Sequence, residues 1–174
     1  MAESSNDFGP VVSVGAEAVG QPGQRTFRLM ARSRDMCASL WMEKEQLASL
    51  GTAIQQQIVH LGRPPSRERL PRLLAGSDMP PTSDVEMRCR QIGLGFDEAR
   101  EDFVIFAYPV ESAEDEPAGW SGRVSMVQGR ALSREIEQIV NSGRPKCPLC
   151  GIVMDSPAHV CPRSNGHVKD LTAD

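Results

Sequence analysis

The sequence predicts an α+β fold in which an antiparallel sheet, built from two strand-strand-helix units, is covered by two helices and followed by a small C-terminal zinc-binding tail. Three observations carry that expectation. Apolar and polar residues alternate over 26–32 and again over 36–42, the period of a half-buried strand. Leu47, Leu50, Ile54, Ile58 and Leu61 then recur at three- and four-residue steps, the period of a helix with one apolar stripe. After a proline-rich interruption the same change of period returns, so strands are again followed by a helix.

Residues 1–7 are polar, 1–10 read as a flexible N-terminus, and the core domain spans 11–143. Val11, Val12 and Val14 suggest a short strand before the turn Gly20-Gln21-Pro22-Gly23. In the next strand Phe27, Leu29 and Ala31 share one face, and Ser33-Arg34-Asp35 makes a hairpin turn. Met36, Ala38, Leu40 and Met42 share a face of the following strand, with Cys37 and Trp41 opposite. The helix that starts near Glu43 is stopped by Gly62 and Pro64-Pro65, because proline lacks an amide hydrogen and clashes with the preceding turn. Prolines 64, 65, 71, 80 and 81, with Arg63, Arg67, Arg69 and Arg72, make 62–82 a surface linker. Leu70, Leu73 and Leu74 are expected to dock a short helical turn from it onto the core.

The second half repeats the order. Residues 85–96 read as a strand with a bulge or bend at Gly93 and Gly95, the charged run 97–102 as a hairpin turn, and 103–110 as an almost continuously apolar central strand. An acidic loop over 111–122 leads to a strand at 123–128, and Leu132, Ile136, Ile139 and Val140 mark a second helix closed by Gly143. Residues 144–174 form a separate, zinc-ribbon-like tail.

With 174 residues, 40% apolar and 24% charged, the composition suits one soluble domain with appendages and excludes collagen, coiled coil and wholesale disorder. A net charge of −4 repels polyphosphate overall, so nucleic acid is not the expected partner, and binding it requires a local basic patch. No run approaches the roughly 18 apolar residues of a membrane span, and the start MAESSNDFGP has neither region of a secretion signal. The protein is therefore expected in the cytoplasm and away from membranes. Thiols stay reduced there, which turns a cysteine cluster toward metal binding rather than disulfides.

Such a cluster closes the chain. Cys147-Pro148-Leu149-Cys150-Gly151 and His159-Val160-Cys161 place four soft or borderline ligands within fifteen residues. Zinc prefers tetrahedral sulfur and imidazole donors, and a two-residue gap lets one tight turn present two thiolates to one ion. Gly151 meets the left-handed conformation that such a turn commonly demands, and Pro148 stiffens it. The ligand set is thus Cys147, Cys150, His159 and Cys161, with His167 as the substitute for His159. Four protein ligands leave zinc coordinatively closed, so its role is structural rather than catalytic. The zinc deaminases put their histidine and a glutamate ahead of the cysteine pair, an order absent here.

Other chemistry is thin. The chain has no phosphate-binding P-loop, no H-E-x-x-H and no G-x-S-x-G. His60 closes a helix, Cys37 and Cys89 sit in strand patterns as core-facing groups, and the acidic turn Asp97, Glu98, Glu101 and Asp102 reads as a solvated hairpin tip. The linker arginines have no interleaved aromatics and read as solvated.

Three segments carry a family resemblance: Val19-Gly20-Gln21-Pro22-Gly23-Gln24-Arg25-Thr26-Phe27, then Leu40-Trp41-Met42-Glu43-Lys44-Glu45-Gln46-Leu47, and the stretch from Gly143-Arg144-Pro145 through the cysteine pair to His159-Val160-Cys161-Pro162-Arg163-Ser164-Asn165-Gly166. They resemble an actinobacterial family of uncharacterised proteins over nearly the whole chain, the C-terminal signature being the most specific part. The resemblance implies a domain of unknown function, often encoded beside a histidine-phosphatase-like protein and a phosphoinositide-kinase-like protein.

The leading expectation is a non-enzymatic protein-interaction or adaptor module with structural zinc, which reaches a protein partner through its tail, its linker or an exposed sheet edge. No catalytic residue and no small-molecule substrate stand out. An enzyme acting on a phosphorylated or nucleotide substrate is the alternative that the implied gene neighbours suggest. RNA binding through Arg144, Lys146, Arg163 and Lys169 around the tail is a third reading.

Overall fold

The computed structural model describes residues 4–21, 23–62 and 70–142. Its elements follow in the order β1 (Asp7–Pro10), β2 (Ser13–Val19), β3 (Thr26–Arg32), β4 (Cys37–Met42), α1 (Lys44–His60), β5 (Val85–Asp97), β6 (Asp102–Pro109), β7 (Trp120–Ser125) and α2 (Met126–Asn141), with a 3-10 turn at Gly76–Asp78. The strands form one sheet in the order β1-β7-β6-β5-β4-β3-β2. Two three-stranded meanders, β2-β3-β4 and β5-β6-β7, therefore each lead into a helix. The chain divides after Val140, and the tail 144–174 lies outside the described residues.

The fold is α+β, as the periodicities predict, but its sheet is mixed rather than antiparallel. Strand β4 pairs with β5 in parallel, from Ala38 opposite Val85 to Trp41 opposite Arg88. The cause is α1. Its 17 residues run back along the sheet, so the next strand enters beside β4 in the same direction, as a helical crossover requires. The second parallel pair joins β1 to β7. Strand β1 lies within the N-terminal segment expected to be flexible, yet it buries Phe8, whose ring meets Trp120 edge-on at 5.5 Å between centroids.

One face of the sheet carries the core. Phe27, Leu29, Leu40, Phe103, Ile105 and Trp120 are buried there beneath Leu47, Leu50 and Ile54 of α1 and Leu132 and Ile136 of α2. The two helices touch at Gly51, where a Cβ would stand 2.7 Å from Ile136 Cγ2. Strand β7 begins at Trp120, ahead of the expected 123, and α2 follows at once. Ser125 and Gln128 start that helix reciprocally: the Ser125 N–H donates to Gln128 Oε1 at 3.0 Å, and the Gln128 N–H to Ser125 Oγ at 3.3 Å.

The described part of the linker forms no helical turn at Leu70–Leu74. It runs extended, with a 3-10 turn only at Gly76–Asp78. Pro71 disfavours a helix, and the edge of β2 offers unpaired backbone groups instead. The Leu74 N–H donates to Val14 O at 3.0 Å, and the Ala16 N–H on the same edge donates to Glu135 Oε2 of α2 at 2.8 Å. The segment then crosses β3 and β4: the Arg32 guanidinium donates to Asp78 O, Ser83 Oγ bonds Ser39 Oγ at 2.8 Å, and the Asp84 carboxylate accepts the Cys37 N–H at 2.8 Å. Among the described residues no helix is long and apolar enough to cross a membrane.

Candidate functional site

Both helices pack on one face, and residues 70–84 cover part of the other over β2 to β4. The rest of that second face, from β4 to β7, carries partly exposed side chains. Strand alternation decides which residues reach it. A bulge in β5 between Cys89 and Gln91 keeps Val85, Met87 and Cys89, and also Ile92, Leu94 and Phe96, on the helix side. Gln46, at the start of α1, holds the bulge by donating to the carbonyls of Cys89 at 3.3 Å and Arg90 at 2.6 Å, while its own Oε1 accepts the Glu43 N–H at 2.9 Å.

Trp41 is the centre of the β4 end. Its indole N–H donates to Glu86 Oε1 at 2.9 Å. The guanidinium of Arg28 lies 5.0 Å from the ring centroid and is also paired with Glu17, so the ring is fixed by a hydrogen bond and a cation–π contact. Beside it a shallow hollow of about 430 Å³ is lined by Thr26, Trp41, Glu86, Met87 and Arg88. Arg88 faces Trp41 in register and is exposed.

Toward β6 the face becomes flat and aromatic. Gly93 and Gly95 bring no side chain to it, and Phe106 lies over both: a Cβ on Gly95 would stand 3.4 Å from Phe106 Cε2, and one on Gly93 3.7 Å from Tyr108 Cε2. Phe106 pairs with Ser121 of β7, and Val104 with Arg123. Ser121 is buried, and its hydroxyl bonds Ser4 Oγ at 2.6 Å and Asp7 Oδ1 at 3.2 Å. Arg123 Nε and Arg90 Nε are buried without a hydrogen-bond partner among the described residues. Chemically, the arrangement offers planar rings for stacking and guanidinium groups for anions on one open surface.

The residues singled out by spacing lie elsewhere. Cys147, Cys150, His159 and Cys161 are all outside the described residues, and within those residues no group of three or more histidine, cysteine or acidic side chains gathers as a metal site. Cys89 is a core group as expected, its thiol pushed up to about 12 by burial. Cys37 is not core-facing. It is partly exposed and lies on the face opposite the helices, as the alternation of β4 requires. His60 ends α1 in an exposed position. The acidic tip closes on itself: Asp97 Oδ1 accepts the N–H groups of Ala99 and Arg100 at 3.1 Å each, and the Arg100 guanidinium donates to Oδ2 at 2.9 Å, holding the Asp97 carboxyl below its usual range.

The sheet face of this chain, together with its core and both helices, falls inside a single family match: residues 6–161 match the family described as Protein of unknown function (DUF3090). The chain belongs to that family. No curated protein and no solved structure matches it. The DUF3090 match starts one residue before β1 and ends on Cys161, the last of the four ligand candidates. Sequence reasoning missed Phe106, Tyr108, Arg88 and Arg123 because they come from three different strands. The available signal was the alternation that set Trp41 opposite the core, extended across neighbouring strands.

Proposed function

We propose that this DUF3090 chain is a non-enzymatic binding module that recognises a macromolecular partner on its open sheet face and carries a structural zinc in its tail. The observation that supports it is the collection of half-buried aromatic rings and incompletely partnered guanidinium groups on that face. Aromatic residues and arginine are enriched at interfaces relative to the rest of a protein surface. The β2 edge is a poorer candidate, since Leu74 and Glu135 already occupy backbone groups on it. For the tail, the ligand spacing and the extension of the family match through Cys161 support zinc held by Cys147, Cys150, His159 and Cys161.

Capture from the native host with the wild-type chain and with a Trp41→Ala/Tyr108→Ala variant tests the reading. A macromolecule retained by the first and lost by the second is the expected result. Turnover of a phosphate ester or nucleotide, abolished by a single polar substitution on this face, would overturn it in favour of an enzyme.

A further inference from the structure

Resting on the binding-module reading, we propose that the open face binds single-stranded nucleic acid, with bases stacked on Trp41 and Tyr108 and phosphates held by Arg88 and Arg123. The rings stand on β4 and β6 with β5 between them, about 10 Å apart across the sheet and offset along it, since Trp41 is level with Arg88 and Tyr108 with Gln91. Glycines 93 and 95 raise no side chain from β5 beside the half-exposed Phe106 and Tyr108 rings, which leaves Gln91 as the β5 side chain opposite Tyr108. Trp41 is held by Glu86 and Arg28 and loses little freedom when a base stacks on it. Every base has a π face, so such a platform is tolerant of sequence and demands unpaired bases, which a duplex does not expose.

Two unpaired guanidinium groups suit the same occupant. The chain carries −4 overall; among the described carboxylates on this side of the sheet Glu17 is paired with Arg28 and Asp97 with Arg100, whereas Glu86 and Asp7 bond the neutral Trp41 indole and Ser121 hydroxyl and keep their charge. Arg88 and Arg123 make no ion pair with a described residue. Arg88 beside Trp41 and Arg123 diagonal to Phe106 are therefore the groups left to meet phosphate oxygens next to the rings.

The test uses the full chain with short fluorescent uridine and thymidine oligomers, read by anisotropy and by tryptophan emission. Only two tryptophans are present, and Trp120 is wholly buried, so quenching on binding reads Trp41. Tyr108→Ala is expected to weaken binding roughly tenfold, and Tyr108→Phe to restore it because the stacking ring is kept. Arg88→Ala should lower the slope of log affinity against log salt by about 0.7. Duplex should compete poorly, and a preference between the two oligomers separates RNA from DNA as the natural form. Failure of both oligomers to bind at about 50 mM salt, or binding that none of these variants alters, overturns the proposal, the second result assigning the contact to the basic tail. A peptide or protein lost in the Trp41→Ala/Tyr108→Ala variant, with neither oligomer bound, overturns nucleic acid while leaving the binding module standing.

Discussion

Gly15→Ala measures how firmly residues 70–84 are held to the sheet. A Cβ on Gly15 would overlap the backbone O, C and N of Leu74, and backbone atoms cannot rotate aside as the end of a side chain can. Strand β2 is paired with β3 along its full length, from Ser13 opposite Arg32 to Val19 opposite Thr26, so the linker segment yields rather than the strand. The cost is then bounded by what docking contributes. Leu74 is 4% exposed, and returning a leucine side chain to water costs roughly 2 kcal/mol. Loss of the Leu74 to Val14 hydrogen bond adds about 1 kcal/mol, which puts the expected loss near 3 kcal/mol. Urea titration should show a lower midpoint and also a smaller m, because a native state with a loosened segment exposes less new surface on unfolding. The Leu74 amide, slow to exchange in the wild type, should exchange rapidly. Leu74→Ala alone should cost about 2–3 kcal/mol, capped by the cost of undocking the segment, and most of that should vanish in the Gly15→Ala background, since the two changes break one contact. Additive losses with unchanged m, or a Leu74 amide that stays protected, would refute the reasoning.

Three further outcomes are expected. Burial raises the Glu135 carboxyl above its usual range, with Glu17 adding to the rise and the Ala16 N–H opposing it. The folded state then holds the proton more tightly than the unfolded one, so stability falls as pH climbs from the ordinary carboxylate value through the raised one. Glu135→Gln, whose amide oxygen still accepts the Ala16 N–H, should flatten that part of the stability profile, and an unchanged slope would contradict the assignment. Cys89 should resist alkylation in the folded protein at pH 8 and react only in urea, as peptide mapping would read. Wild-type protein should carry about one zinc per chain and Cys150→Ser should lose it while the α+β core stays folded; metal analysis showing full retention would remove Cys150 from the ligand set.

What could be read from the chain was whatever depends on neighbours in sequence. The alternation of Phe27, Leu29 and Ala31 and the stripe Leu47, Leu50, Ile54 survive in the structure because each follows from one element meeting one core face. Start signals were legible but outweighed by periodicity: Ser125-Met126-Val127-Gln128 is a capping sequence, yet Val124 and Met126, alternating with Arg123 and Ser125, look like a continuing strand. Strand β1 was hidden because Phe8 is its only large apolar residue, and four residues show no period. Parallel pairing of β4 with β5 was not legible, as it depends on where a crossover returns. The arginines and aromatics of the open face were not legible for a related reason: along the chain they are not interleaved, and only lateral pairing sets Trp41 beside Arg88 and Phe106 beside Ser121, next to Arg123.

The composition of that face depends on a side chain on the other side of the sheet. Side chains alternate with period two, so without the extra residue between Cys89 and Gln91 the C-terminal half of β5 would turn over. Ile92, Leu94 and Phe96 would then face outward, and Gly93 and Gly95 would leave holes beneath the helices. Gln46 opposes this by bonding two carbonyls at the bulge while its own Oε1 starts α1. The helix that forces β5 to enter in parallel thus also fixes its register, and through the register decides that glycines rather than isoleucine and leucine lie beside Tyr108. Crossover, bulge and open platform are consequences of one junction, the sequence from Trp41 to Gln46.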